Sequence, residues 1–121
     1  MTVLQPPTTL PLTIAINTAI SGAFLMDDFI GGFVLIPAAW DAANIGFQIC
    51  STETGTYVIA KDKDGSPIQI ASVTTNASYW YAIPTTLFPA RWVKVWSKSA
   101  TAATVTDVNQ TAARTLEVML K

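Results

Sequence analysis

Two carboxylate pairs are the first places to look for chemistry in this chain. Asp27-Asp28 and Asp62-Lys-Asp64-Gly65 each bring acidic oxygens close together. Asp27-Asp28 falls between apolar runs, where Asp is a common turn residue, and reads as a polar loop. Asp62-x-Asp64-Gly65 has the opening spacing of a calcium loop. It lacks the further oxygen ligands and the closing Glu, so a hairpin turn is the better reading. The chain has no histidine, which removes the usual base near neutral pH and the commonest metal ligand. Its single cysteine, Cys50, excludes an internal disulfide, a thiolate–imidazole pair and a zinc site of familiar spacing. Following Phe47 and Ile49, Cys50 reads as a small, half-buried hydrophobe. No Gly-rich turn leads into a helix to cradle phosphate. These residues point to no enzyme, no metal and no cofactor.

Composition narrows the partners. Half of the 121 residues are hydrophobic and 12% are charged, about half the charged fraction of an average soluble protein. A surface with so little charge is expected to be partly covered, by copies of the chain or by another protein. The net charge is −1, with no block of Lys or Arg. Nucleic acid is therefore not an expected partner, since its binding rests largely on neutralising phosphates. No targeting signal is visible at the N-terminus, where Pro6, Pro7 and Pro11 would break a signal helix. The longest apolar stretch, Phe29 to Trp40, contains Gly31, Gly32 and Pro37 and is too short to cross a bilayer. A soluble protein made in the cytosol is expected, with no membrane partner.

The elements that must position these residues are strands. Residues 1–9 read as an extended, Pro-rich arm, and 10–121 as one β-sandwich domain. Leu10, Leu12, Ile14 and Ile16 share one parity, the mark of a half-buried strand. A short strand is expected from Ile20. Phe29 to Pro37 is continuously apolar, as for a strand buried on both faces. Further strands are expected at Ile45–Cys50, Tyr57–Lys61, Ile68–Ser72 and Arg91–Lys98. Tyr79-Trp80-Tyr81 reads as a helical turn or a short strand. An Ala/Thr-rich loop covers 99–106. The last strand carries Leu116, Val118 and Leu120 inward, with Glu117 and Lys121 outward. About eight short strands without a long amphipathic helix predict an all-β, antiparallel sandwich of jelly-roll type.

Arg91-Trp-Val-Lys-Val-Trp-Ser-Lys98 is the most informative strand. Alternation puts Trp92, Lys94, Trp96 and Lys98 on one face and Val93 and Val95 on the other. Burying two lysines is costly, so the valines are expected inward and the Trp/Lys face outward. Three readings fit that face. It is a protein interface, for which Trp is the favoured anchor; or rings packed under a loop with lysine stems running past them; or a platform on which sugar rings stack.

Several stretches together resemble small proteins encoded among the structural genes of tailed bacteriophages. They are Ile36-Pro37-Ala38-Ala39-Trp40, Asp41-Ala-Ala-Asn-Ile45-Gly-Phe47-Gln-Ile-Cys-Ser51, Tyr57-Val-Ile-Ala60, Lys63-Asp64-Gly65, Arg91-Trp-Val-Lys-Val-Trp-Ser97 and Val108-Asn-Gln110-Thr-Ala-Ala-Arg114-Thr-Leu-Glu-Val118. The resemblance covers about residues 30–120. The middle is also similar to discoidin-type jelly rolls, although Ser51-Thr-Glu-Thr-Gly55 lacks their Asp. The resemblance implies a virion protein, with a capsid decoration role stabilising the head as the leading expectation. It implies partners in a major capsid protein or other virion protein and in itself, as a homo-oligomer such as a trimer. A carbohydrate-binding module on the virion surface or tail, with glycan as partner, is the alternative. Trp40, Phe47, Ser51, Gln110 and Arg114 are then fold determinants, with Arg114 placed to anchor a loop by bidentate hydrogen bonds. The Pro-rich arm, through Leu4, Pro6, Pro7 and Leu10, is the expected strap to the capsid, because a stiff segment loses less entropy on docking.

Overall fold

The computed structural model describes residues 7–99 and 106–121. Most of the 99–106 loop, and Leu4 and Pro6 of the expected arm, lie outside the described residues. Among the described residues there are nine strands and no α-helix. The strands are β1 (Thr8–Ile14), β2 (Ile20–Leu25), β3 (Gly32–Ile36), β4 (Asn44–Cys50), β5 (Val58–Ile59), β6 (Gln69–Ile70), β7 (Tyr79–Ala82), β8 (Trp92–Lys98) and β9 (Arg114–Leu120). A 3₁₀ turn occupies Thr85–Leu87.

Pairing follows one long, folded hairpin. β1 pairs with β9, β2 with β8, β3 with β7, and β4 with β5 and β6, all antiparallel. The hairpin then rolls on itself, so that β9 also meets β3 and β8 also meets β4. The result is a β1-β9-β3-β7 sheet and a β2-β8-β4-β5 sheet, joined at the corner where Ile14 pairs with Ser21. This is the jelly-roll arrangement expected from the sequence. One core collects the inward parity of both sheets: Ile14, Val34, Ile36, Leu116 and Val118 from the first, Phe24, Ile45, Phe47, Val93 and Val95 from the second. Trp40 and Met26 close it from the connections.

Local chemistry explains the irregular points. Lys121 exchanges backbone hydrogen bonds with Gly31, so Leu120, Val118 and Leu116 turn their N–H groups to β1. Pro11, opposite Glu117, therefore turns its nitrogen away from β9, to the side where no ladder needs a donor. The register of β2 on β8 shifts between Ile20 and Ala23. There the Ser21 hydroxyl accepts from the Val95 N–H at 2.9 Å and replaces a ladder bond. In the hairpin beyond β5, Asp62 Oδ1 accepts from the N–H groups of Asp64 and Ser66 (2.9 and 3.0 Å). Gly65 supplies the positive φ of +83° that this turn requires.

Three expectations need correction. The strand at the N-terminus begins at Thr8, opposite Leu120, so Pro7 and Leu10 border or belong to the sheet and are not part of a free arm. Ile16 lies in the turn after β1 and is 56% exposed, because the reversal to β2 starts at Ala15. The Phe29–Pro37 run is not buried on both faces. Val34 and Ile36 enter the core, while Phe33 is 45% and Ile30 is 86% exposed.

Candidate interaction surfaces

The motif residues near the two ends of the resemblance meet in space. Gln110, fully buried, accepts from the Asp41 N–H (2.9 Å) and the Arg114 Nε (3.2 Å) through Oε1. Its Nε2 donates to the Ser97 hydroxyl at 3.0 Å. Asp41 in turn takes the Thr111 N–H and an Arg114 NH2 bond at 2.6 and 3.1 Å. The Gln110 backbone also joins the β1–β2 turn, through Asn17 and Thr18. One glutamine thus ties together four segments far apart in sequence. Arg114 anchors the loop as the resemblance implied, although its two bonds go to different residues. The Thr111 bonds, and then the Arg114 charge, hold the Asp41 carboxyl below its ordinary range. Trp40 is buried beside this clasp, with its indole N–H on the Ala43 carbonyl at 3.2 Å. Ser51 is exposed and takes no part.

The outer face of the β8 sheet differs from its expected form. Val93 and Val95 do point into the core. Trp92 and Lys94 are half-buried on the outside, with the Lys94 Nζ 4.4 Å from the centre of the Tyr57 ring. Trp96 and Lys98, expected to be exposed, are both 0% exposed. Trp96 lies on Gly46, where an added Cβ would come within 2.5 Å of its ring. Its indole N–H donates to Asp107 Oδ1 at 2.6 Å. Lys98 donates to Gln69 Oε1 and the Ser99 carbonyl at 2.8 and 3.1 Å, and burial lowers the pKa of its ammonium. Thr106 and Val108 pair with Ser99 and Ser97 beside the end of β8 and bring Asp107 to the Trp96 indole, so local packing wins at this end of the strand. Two tryptophans do not stand side by side as a platform.

The remaining candidates for chemistry are scattered. Asp27 pairs with Arg91 at 3.0 Å on the surface. Cys50 is half-exposed, and backbone N–H groups, Thr52 first, lower its thiol pKa. Among the described residues no group of His, Cys, Asp or Glu could hold a metal ion.

The open surface lies on the other sheet. The outer face of the β1-β9-β3-β7 sheet is built in rows by its register. Trp80, Leu35, Glu117 and Pro11 form one row, and Ala82, Phe33, Met119 and Thr9 the next. A third row begins where Gly31 meets Lys121. There Pro7, Ile30, Gly31, Phe33, Met119 and Lys121 line an apolar hollow of about 520 Å³. Trp80 is 42% exposed. The only available sequence signal was parity: Phe33 and Leu35 alternate with Val34 and Ile36, so one pair must leave a one-sided core.

No family model matches the chain, and no curated protein or solved structure matches it.

Proposed function

We propose that this chain is a structural protein of a tailed-bacteriophage virion, a decoration protein that works by docking its faces onto protein neighbours. The apolar outer face of the β1-β9-β3-β7 sheet carries this reading. It sets Trp80, Phe33, Leu35, Met119 and Ile30 together with Glu117 and Lys121 as its charges. Large exposed apolar patches mark interaction sites, and aromatic anchors within them supply most binding energy. The jelly roll is a common capsid architecture, which agrees with the motif resemblance. Binding of this kind stabilises an assembly passively, by burying apolar surface across subunit junctions.

Detection of the chain in purified particles tests the proposal. Particles from cells carrying the gene should contain it in stoichiometric amounts by mass spectrometry, with loss on Trp80→Glu. Its absence from particles, with the soluble protein abundant, would sink the virion reading. The glycan alternative rested on Trp92 and Trp96 as a stacked pair, and Trp96 is covered.

A further inference from the structure

The charges on the open face are arranged for self-recognition. Glu117 and Lys121 lie on the same strand line and share the outward parity, on either side of Met119. They stand about 13 Å apart at the usual rise of a strand. Neither has an ion-pair partner among the described residues. We infer that two copies of this chain pack these faces together about a two-fold axis crossing β9 at Met119. The inference rests on the reading of the chain as an assembly protein and names its partner as a second copy.

The register dictates what such an axis brings together. Reversal along β9 sets the row of Trp80, Leu35 and Glu117 over the row of Gly31 and Lys121 of the other copy. Glu117 then faces Lys121, twice, by symmetry. Leu35 stands over Gly31, at the hollow that no described side chain fills, with Trp80 beside it. The middle row, Phe33 and Met119, meets itself. Sheets that pack face to face in this way sit about 10 Å apart with strands roughly 30° from aligned. A parallel stacking would instead set Glu117 on Glu117 and Lys121 on Lys121. The antiparallel contact is isologous, so it closes at two copies. The patch measures roughly 300 Å² in projection, from four strands and five residues per strand. That is small, and self-association should depend on concentration.

Sedimentation equilibrium of the full chain across roughly 10–500 μM tests this. Glu117→Lys and Lys121→Glu should each weaken the dimer about 10-fold, more at low salt. The double variant should restore the wild-type constant. Trp80→Glu should abolish the dimer, and circular dichroism should show all four variants folded. A dimer that survives every single substitution, or a double variant no better than the singles, overturns the face assignment and leaves the virion reading standing. A wild type that stays monomeric throughout overturns the dimer. Chain absent from particles, with charge-swap rescue intact, overturns the virion reading and keeps the dimer.

Discussion

The outer face of the β2-β8-β4 sheet carries Trp92, Lys94, Trp96 and Lys98, and that of the β1-β9-β3-β7 sheet carries Trp80, Phe33, Leu35, Met119 and Glu117. Both have aromatic rings and few charges. In the first, Thr106 and Val108 pair beside the end of β8, and Asp107 gives the Trp96 indole N–H an acceptor. In the second, Phe33 and Trp80 remain 45% and 42% exposed. The difference shows that the burial of a tryptophan on a sheet exterior depends on what packs beside it. The same residue type is structural on one face and available on the other.

Substitutions can separate the two roles, and Trp96→Ala should have the largest effect on stability. It leaves a cavity over Gly46 and frees Asp107, at an expected cost of about 3–5 kcal/mol in urea unfolding. Gln110→Ala should follow at about 2–3 kcal/mol, because the Asp41 N–H, Ser97 and Arg114 lose a buried partner. A smaller loss in either would mean that the clasp and the Trp96 packing can relax.

Acid should probe the clasp more gently. The Asp41 carboxyl is lowered below its ordinary value in the folded protein, so the unfolded chain binds its proton more readily. The stabilisation is complete above the unfolded value of about 3.9 and is lost as pH falls through the lower folded value. Asp41→Asn should remove that part of the acid slope in a pH series of unfolding curves, and an unchanged slope would refute the assignment. The smallest effect belongs to the open face. Phe33→Ser should shift unfolding by no more than about 0.5 kcal/mol while weakening self-association. A large loss of stability would place Phe33 with the covered residues.

Alternation along the chain was enough to read the sandwich. Leu12 with Ile14, Val93 with Val95, and Leu116 with Val118 and Leu120 are inward as their parity requires, because a one-residue slip would turn each set to water. The hairpin at Asp62–Gly65 was legible for the same local reason, since its turn is made by its own residues. The resemblance named Gln110 and Arg114 as fold determinants, while Asp41, inside one of its stretches, carried no role. Asp41 lies 69 residues from Gln110, and such a distance has no periodic signature.

Composition and period therefore determined the class of fold, the inward residues and the scarcity of groups for catalysis. Tertiary structure alone decided which outer face stays open. Alternation assigns a side chain to a face of its own strand, whereas its exposure is set by elements distant in sequence. The packing of Trp96 on Gly46 and the pairing of Phe33 with Met119 are such encounters. They follow from the rolling of the hairpin, where β9 comes to lie between β1 and β3.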